Sequence, residues 1–430
     1  MRLLLITDHW YPERNVPQRR WKWLGNILRE SGHELYVATP NAGKGVVPRR
    51  ASVEDGEDGE TVIRTWGRKG GIGLSERALQ QGLTALGSVY GINGQFRNGS
   101  LPKPDLVIGT VPGLPTAVVT FATARALKAP FALDIRDAWP DLLRYSSDWN
   151  RTLGKKSLRE RMLALGPLQI ILKVAESAMN FTYARSALML TTSERFAERL
   201  KHSLIQRHRS TQTVVIRNVF PPVISLNELN RQQTKGLNQP TELRVIYAGK
   251  IGRAQNLGNA VRAVSIANSK GVPVVLRMIG SGVAVESLKE LTSRLNARVE
   301  FLGHLEAEEL KQHYTWADTA LVHLASWPPL GETVPSKVFE LINSRIHISG
   351  VIAGESADLL DKLSSGHTVE PDDPIALAEL WKELWTHPQQ LKVGPKGKQW
   401  IEREREEVVP RLLADALANF PIESETPESS

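Results

Sequence analysis

The chain of 430 residues contains no cysteine. This absence excludes disulfide bonds, thiolate metal ligands and a cysteine nucleophile, and it suits a reducing cytoplasm. Long apolar runs are also missing: the apolar stretch within residues 1–8 is too short for a signal peptide, so we expect none. Residues 106–124 carry no charge, but Pro112, Gly113 and Pro115 interrupt them. We therefore interpret this stretch as buried strand, turn and helix, not as a membrane-spanning helix.

Acidic residues are scarce in the first half of the chain. Residues 1–220 hold 32 Lys and Arg against 19 Asp and Glu, a net charge of +13, whereas residues 221–430 hold 22 against 27, a net charge of −5. The basic half predicts contact with an anion, which could be a nucleic acid, a phosphorylated substrate or an anionic lipid surface.

Apolar strands alternate with helical stretches in two successive series, and the chain is too long for one ordinary core. This pattern predicts an α/β protein of two doubly wound, Rossmann-like domains with parallel sheets. The expected parts are a first domain at 1–224 with a mobile loop at 41–60, a polar linker at 225–242, a second domain at 243–395, a C-terminal helix at 396–420 that could pack back on the first domain, and a disordered tail at 421–430.

Ligands of doubly wound sheets bind at the carboxyl ends of the strands, so the segments after the strands are the candidate sites. Gly249-Lys-Ile-Gly-Arg253 follows one predicted strand. Its glycines allow a close backbone approach to a phosphate, and its two cations can neutralise the charge. The segment fits an ordinary surface turn equally well. Ile279-Gly-Ser-Gly282 is a second tight turn and by itself a weak indication.

Two glutamates flank a predicted helix start in Glu332-Thr-Val-Pro-Ser-Lys-Val-Phe-Glu340. Pro335 is favoured at the first helical position because its missing N–H would be unpaired there. Glu332 is then expected in the loop and Glu340 in the helix. A helix N-terminus attracts phosphate, and carboxylates accept hydrogen bonds from hydroxyls, so the segment could hold a sugar, a phosphate and a ribose. Two surface acids on a solvated helix would show the same spacing.

Acidic and basic residues also follow a predicted strand in Asp134-Ile-Arg-Asp-Ala-Trp-Pro140. Arg136, Asp137 and Trp139 are either site residues or a structural pair that braces the loop. The adjacent acids Asp372 and Asp373 precede a proline and predict a helix cap, so we assign no metal site to them.

These motifs together resemble glycosyltransferase family 4, in its exopolysaccharide and O-antigen branch. The resemblance runs to about Trp385 and rests on residues 2–7 with Tyr11-Pro12, Ser31-Gly-His-Glu34, the 134–140 segment, Tyr247–Gly252, Ile279–Gly282, Phe301–Gly303, Ala317-Asp318 and Glu332–Glu340, in the order of that family. It implies a GT-B fold: two Rossmann-like domains facing across a cleft, the first binding the acceptor and the second a nucleotide-sugar donor.

The resemblance also implies a role for each matching residue, with no metal and no cofactor. The implied catalytic residues are Glu332, Arg136 and Asp137; the donor pyrophosphate would be bound by Gly249, Lys250, Gly252, Arg253, Val334, Pro335, Ser336 and Lys337; the ribose by Glu340; the nucleobase by Gly280, Gly282, Gly303, His304 and Leu305; and the acceptor side would hold Asp8, Tyr11, Arg19, Arg20 and Trp139. Fixed cations and helix N–H groups would stabilise the charge that grows on the departing diphosphate.

The implied reaction is retaining transfer of a sugar, from a UDP-sugar, to a lipid-linked or saccharide acceptor in bacterial surface polysaccharide synthesis. The chain departs from the family pattern in three places. Many relatives have a Gly-Gly pair where this chain has Arg14–Arg20, and His-Asp where it has Arg136-Asp137. Relatives also commonly place Arg before Lys at the pyrophosphate, whereas Lys250 stands first here. Donor or acceptor geometry could therefore differ.

Three further interpretations stay open. A non-hydrolysing sugar-nucleotide epimerase could use the same fold, and the basic half could bind nucleic acid, although its cations do not follow one helix face and no aromatic RNA-binding motif is present. Residues 155–173 mix basic and apolar side chains, so they either contact the inner face of the cell membrane from the cytoplasm or form an ordinary core helix.

Overall fold

The computed structural model describes residues 1–13, 15–41, 51–67, 74–111, 114–142, 167–206, 211–222, 241–418 and 420. Contacts between Cα atoms divide the chain into two units. The first comprises Met1–Pro140, Ile171–Phe220 and Glu407–Ser430, and the second comprises Asp141–Ile170 and Pro221–Glu406. The predicted tail, residues 225–240 of the predicted linker and residues 155–166 lie outside the described residues.

The first unit contains an eight-stranded sheet in the order β3-β4-β2-β1-β5-β6-β7-β8. Its strands are β1 (Arg2–Ile6), β2 (Glu34–Pro40), β3 (Ser52–Asp55), β4 (Thr61–Thr65), β5 (Leu106–Val111), β6 (Phe131–Ile135), β7 (Leu188–Thr191) and β8 (Gln212–Val215). The helices between them are α1 (Val16–Glu30), α2 (Leu74–Arg97), α3 (Leu114–Leu127), α4 (Pro167–Tyr183) and α5 (Glu194–Gln206). All pairings are parallel except the pairing of β3 with β4.

The central strands of this sheet are buried on both faces. Leu3, Leu4 and Leu5 in β1 have no exposed surface, and every residue of β5 and β6 is buried. Continuous apolar strands of this kind belong to parallel sheets with helices on both sides. The carboxyl ends of β1, β5 and β6 therefore lie at one edge, where Asp8 and Arg136 follow their strands.

The structure corrects the predicted mobile loop at residues 41–60 over residues 51–60, whereas residues 42–50 lie outside the described ranges. Residues 52–55 form β3, which pairs antiparallel with β4 at the edge of the sheet. All four side chains of β3 are exposed, and it carries Glu54 and Asp55. Charged, exposed side chains are typical of a short edge strand, and they hide the alternation that would have predicted it.

The second unit contains a six-stranded, fully parallel sheet in the order β11-β10-β9-β12-β13-β14. Its strands are β9 (Leu243–Ala248), β10 (Val274–Ile279), β11 (Val299–Phe301), β12 (Thr319–His323), β13 (Ile348–Val351) and β14 (Gly366–Val369), and its helices are α6 (Gly258–Ser269), α7 (Val285–Leu295), α8 (Ala307–Trp316), α9 (Ser336–Asn343), α10 (Glu355–Leu363), α11 (Pro374–Thr386) and α12 (Lys396–Arg403). β14 was not predicted, because its central residues His367 and Thr368 are exposed and polar.

The C-terminal helical stretch, predicted as one helix at 396–420, has three parts. α12 continues into a π-helical turn at Glu404–Val408, which is followed by α13 (Val409–Ala418). α13 groups with the first unit and contacts β8. None of the helices in the described ranges is long and apolar enough to cross a membrane.

Candidate functional site

The turns after β9 and β10 pack directly on each other at the carboxyl edge of the second sheet. A Cβ atom on Gly280 would lie 1.9 Å from the Gly249 carbonyl oxygen, and one on Gly282 would lie 2.0 Å from the Ile251 carbonyl oxygen. The Ile251 N–H donates to the Ser281 carbonyl at 2.9 Å. Glycine is required at both positions because the two backbones touch, which is a packing reason independent of any nucleobase.

The turn after β9 is held in one shape by its own hydrogen bonds. The Gly252 N–H donates to Gln255 Oε1 at 3.1 Å, and the Tyr247 hydroxyl donates to the Lys250 carbonyl at 2.6 Å. Burial, together with nearby Tyr314, raises the pKa of Tyr247, so its hydroxyl keeps its proton. The Lys250 side chain is exposed, and the turn therefore presents a cation from a fixed backbone.

The predicted helix around the two glutamates is confirmed as α9, with small differences at its start. Pro335 is the N-cap and not the first helical residue, and Glu332 ends a short 3-10 helix at Pro328–Glu332 instead of lying in a loop. Glu340 lies inside α9, and its carboxylate is 3.9 Å from Lys337 Nζ. The two acids thus occupy separate elements at the same end of the sheet.

Lys337 connects α9 to the turn after β9. Its Nζ donates to the hydroxyl of Tyr314 at 3.3 Å, and its Cε would lie 3.7 Å from a Cβ built on Gly249. The structure therefore brings together the predicted pyrophosphate segments Gly249–Arg253 and Val334–Lys337, which are about eighty residues apart in the sequence.

The 3-10 helix is placed by close contact with the start of α10. Gly354 has a φ of +69°, and a Cβ there would lie 2.0 Å from the Gly331 carbonyl oxygen. The Ser356 hydroxyl donates to the Thr333 carbonyl at 3.0 Å. These contacts fix the backbone on both sides of Glu332.

The predicted nucleobase segment adjoins the turn after β10. The Gly280 N–H donates to the Gly303 carbonyl at 2.5 Å, and Gly303 has a φ of +68°. His304 is exposed and Leu305 is half-buried. The residues predicted to bind phosphate, ribose and base thus all lie along the carboxyl edge of β9 to β12.

In the first unit, the loop after β1 is anchored on both sides. Buried Trp10 donates its indole N–H to buried Glu60 at 3.1 Å, and Arg64 donates to the Tyr11 carbonyl at 2.6 Å. Asp8 accepts from the Thr116 hydroxyl at 3.0 Å. The predicted acceptor residues Asp8 and Tyr11 therefore belong to a loop that is anchored by hydrogen bonds.

Arg136 follows β6 at the same edge and is buried. Burial lowers the pKa of its guanidinium, whereas the carboxylates of Asp134, Asp137 and Asp8 act in the opposite direction. Its Nε and the indole N–H of Trp139 have no hydrogen-bond partner within the described ranges. The structure thus brings Asp8, predicted for the acceptor side, close to Arg136 and Asp137, which were predicted as catalytic residues.

The structure corrects the prediction for Arg20. It was predicted on the acceptor side, but its side chain has no exposed surface. Nε and Nη2 donate to the two carboxylate oxygens of Asp134 at 3.2 and 2.8 Å, and Nη1 donates to the Ile216 carbonyl at 2.8 Å. A side chain enclosed in this way cannot touch an acceptor. Its neighbour Arg19 is half-buried and stacks over Phe220 at 4.7 Å.

Two groups of side chains were missed from the sequence. His9 Nδ1 lies 2.5 Å from Glu13 in the loop after β1. The spacing of four residues was visible in the sequence, but no site was assigned to the pair. His347 was missed as well: it lies immediately before β13, with Nδ1 2.8 Å from the Thr319 hydroxyl and Nε2 2.9 Å from His367 Nδ1. No sequence signal pairs these distant histidines.

Acid is expected to destabilise the second unit through His347. Burial, with a smaller effect of His367, lowers the pKa of His347 to about 3 from the ordinary value of 6.5. Between these values the unfolded chain binds more protons, so the free energy of unfolding falls as pH falls from 6.5. At pH 5 the loss is about 2 kcal/mol, from 1.4 kcal/mol per pH unit.

Urea unfolding at pH 7 and pH 5 checks this expectation. His347→Gln removes the titrating group, so its stability should change less between the two pH values than that of the wild type. Burial also lowers the pKa of His323, to about 4, and His323→Gln is the matched comparison. An unchanged pH dependence in His347→Gln would show that another group is responsible.

Residues 230–407 match the family model described as Glycosyl transferases group 1. This range includes the turn after β9, the 3-10 helix and α9. A curated relative, described as the probable glycosyltransferase WbjE of Pseudomonas aeruginosa, is 29% identical over 141 residues. These residues are 32% of this chain and 34% of that protein, so the match spans about a third of the relative's length. The family domain supports the prediction of a glycosyltransferase enzyme.

Solved structures share the fold over nearly the whole chain. Sucrose-phosphate synthase of Thermosynechococcus elongatus has a TM-score of 0.68 at 15% identity and covers 97% of this chain and 98% of its own. HepE of Anabaena in complex with UDP-glucose has a TM-score of 0.61 at 16% identity, with 98% and 100% covered. The apo form of the lipopolysaccharide outer core galactosyltransferase WaaB has a TM-score of 0.59 at 13% identity, with 97% and 99% covered. These likenesses confirm the predicted α/β fold with two Rossmann-like parallel sheets, which matches the fold of GT-B enzymes.

Proposed function

We propose that this chain transfers a sugar, with retention of configuration, from a UDP-sugar to a hydroxyl of a lipid-linked or saccharide acceptor in bacterial surface polysaccharide synthesis. The observation that carries the proposal is the placement of Lys337 beside the turn at Gly249–Arg253, with the Glu340 carboxylate 3.9 Å from Lys337 Nζ, within the segment that matches the glycosyltransferase family. The finer placement in the exopolysaccharide branch of family 4 rests on the sequence resemblance.

The second unit would bind the donor by its charges. Lys250, Arg253 and Lys337, with the backbone N–H groups at the start of α9, would hold the diphosphate, because cations and helix N-termini attract phosphate. They would also stabilise the charge that grows on the diphosphate as its bond to the sugar breaks. The Glu340 carboxylate would accept hydrogen bonds from the ribose, and Glu332 would face the transferred sugar. No metal and no cofactor are proposed.

Uracil is proposed as the base because HepE, which shares the fold, was solved with UDP-glucose. The backbone of Gly303–Leu305 would contact the base beside the turn after β10. On the acceptor side, Asp8, Tyr11 and Arg136 would orient the acceptor hydroxyl, supported by the anchored loop after β1.

The test is binding followed by transfer. UDP should raise the unfolding temperature of the protein more than uridine does, because a ligand that binds only the folded state stabilises it and the diphosphate supplies the charge contacts. A UDP-sugar with a saccharide or lipid-linked acceptor should yield a new glycoside with the anomeric configuration of the donor, seen by NMR. Formation of a new sugar nucleotide without acceptor would instead indicate an epimerase, and an inverted product would contradict retention.

We also propose that the basic half brings the chain to an anionic membrane surface on the cytoplasmic side, where a lipid-linked acceptor would lie. The support is its net charge of +13 and the basic, apolar segment at 155–173. Each cation close to an anionic surface contributes about 1 kcal/mol, which weakens as salt rises.

Sedimentation with liposomes tests this attachment. Binding should require anionic lipid, weaken with salt, and be lost when the cations Lys155, Lys156, Arg159 and Arg161 are changed to Glu. The matched control reverses four exposed lysines of the acidic half at residues 221–430, Lys289, Lys362, Lys382 and Lys392. If both variants lose liposome binding equally, the net charge of the protein and not the 155–161 segment is responsible. Binding to neutral liposomes would contradict an electrostatic attachment.

A further inference from the structure

Asp372 accepts hydrogen bonds from two different loops of the second unit. Its Oδ1 accepts from Asn256 Nδ2 at 2.5 Å, and its Oδ2 accepts from the Ser326 hydroxyl. The neighbouring acid, Asp373, is the N-cap of α11 and accepts from the N–H groups of Ile375 and Ala376. The sequence predicted a cap for both acids, but Asp373 alone supplies it, which leaves the contacts of Asp372 to be explained.

Asn256 and Ser326, which donate these hydrogen bonds, lie at the ends of the two segments that carry the proposed nucleotide-sugar site. Asn256 closes the turn that begins at Gly249 and presents Lys250. Ser326 lies two residues before the 3-10 helix at Pro328–Glu332. The two segments also touch directly, since the Ala325 N–H donates to the Ala254 carbonyl at 2.8 Å. Asp372 therefore joins two loops that arise from different strands, β9 and β12.

The backbone at this junction is unusual. Asp372 has a φ of +66° and Asn256 a φ of +40°. Asp and Asn adopt the left-handed region more readily than other residues with a side chain, but the conformation still costs free energy. The hydrogen bonds of the Asp372 carboxylate are interactions that can offset this cost.

We propose that Asp372 is a positioning residue that ties the turn at Gly249–Asn256 to the 3-10 helix, so that Lys250 and Glu332 reach the same donor molecule. This inference rests on the proposed function. A carboxylate repels a diphosphate, so direct contact between Asp372 and the phosphates would weaken binding. Asp372 acts instead through the two loops that it joins.

Three substitutions at this position distinguish the effect of losing the side-chain hydrogen bonds from the effect of the positive φ. Asp372→Asn can keep both contacts, because its carbonyl oxygen accepts from Asn256 and its amide can donate to the Ser326 hydroxyl oxygen. Asp372→Gly removes both contacts but suits the positive φ. Asp372→Ala removes both contacts and also disfavours the φ.

The measurements are the Kd for UDP by calorimetry and the steady-state constants of sugar transfer. Asp372→Gly should weaken UDP binding by about fivefold to thirtyfold, the range expected when two exposed hydrogen bonds are lost. It should also lower kcat, because Glu332 shifts relative to the phosphates. Asp372→Asn should stay within about twofold of the wild type in both.

Asp373→Ala is the matched control. It removes the cap of α11 and should lower the unfolding temperature, yet leave the Kd for UDP unchanged. A double variant, Asp372→Gly with Ser326→Ala, should bind UDP no more weakly than Asp372→Gly alone, since both changes remove the same contact.

The outcomes distinguish this inference from the proposed function. If wild-type protein does not bind UDP, the proposed donor is wrong. If the wild type binds UDP and Asp372→Gly binds it equally well, the inference is overturned. Equal weakening of UDP binding in Asp372→Asn and Asp372→Gly would also overturn it, because the charge of Asp372 and not its hydrogen bonds to the two loops would then determine UDP affinity.

Discussion

Replacing Arg20 by methionine is expected to destabilise the protein by about 3–5 kcal/mol. This is the typical loss when one partner of a buried ion pair is removed and the other charge stays buried. The Asp134 carboxylate has no exposed surface and accepts from Arg20 and from the indole N–H of Trp21, at 2.7 Å for the latter. Methionine restores the packing volume but leaves much of that charge unpaired.

A double variant and a neighbouring residue test the cause. Asp134→Asn removes the charge while its carbonyl oxygen can still accept from Trp21, so Arg20→Met with Asp134→Asn should recover much of the lost stability. Arg19→Met is the matched control: Arg19 lies one residue away and stacks on Phe220, a contact that contributes about 0.5–1 kcal/mol. If urea unfolding shows equal losses for Arg19→Met and Arg20→Met, the buried pair is not the cause.

Replacing Glu340 by alanine is expected to weaken the binding of UDP and of the UDP-sugar alike, by about 1.5–3 kcal/mol, or roughly tenfold to 150-fold. These are the values for hydrogen bonds to a charged group. Glu340 lies within α9, and Lys337 Nζ lies 3.9 Å from its carboxylate. Calorimetric titration with UDP measures the loss, and an unchanged affinity would refute the ribose contact.

Glu332→Gln is the matched comparison for Glu340→Ala. Glu332 ends the 3-10 helix, outside α9, and is proposed to face the transferred sugar. Its substitution should lower kcat while the affinity for UDP stays within about twofold, because an interaction made mainly in the transition state affects turnover. Full turnover in Glu332→Gln would contradict that role. A loss of UDP binding as large as that of Glu340→Ala would show that both glutamates contact the nucleotide.

Much of the fold was predictable because its signals are local. Apolar strands such as Leu243–Ala248 and the Pro335 helix start depend on the residues of a single segment. The loop after β1 illustrates the opposite case. Its conformation depends on Trp10 donating to Glu60, fifty residues away, and on Arg64 reaching the Tyr11 carbonyl. No local pattern predicts contacts between residues so far apart in the sequence.

The candidate site shows the same division. The segments at Gly249–Arg253 and Glu332–Glu340 were found because glycines, cations and carboxylates follow predicted strands. Arg20 was wrongly predicted as an acceptor residue because the sequence does not show whether a charged side chain is buried. Charged residues are buried only when folding brings a partner such as Asp134 to them. Asp372 was assigned a cap for a related reason: adjacent acids before a proline look alike until one of them is seen joining two loops.

By itself the sequence determined the alternation of strands and helices, the two-part division, the charge asymmetry and the turns where a phosphate could bind. All of these follow from the order of residues along one segment. The tertiary structure alone decided which of those turns meet, which charges are buried, and which acids hold loops in place. The physical reason is that close backbone approach, as at Gly354 and Gly331, and desolvation of charge, as at Arg20, depend on distances between segments far apart in the chain.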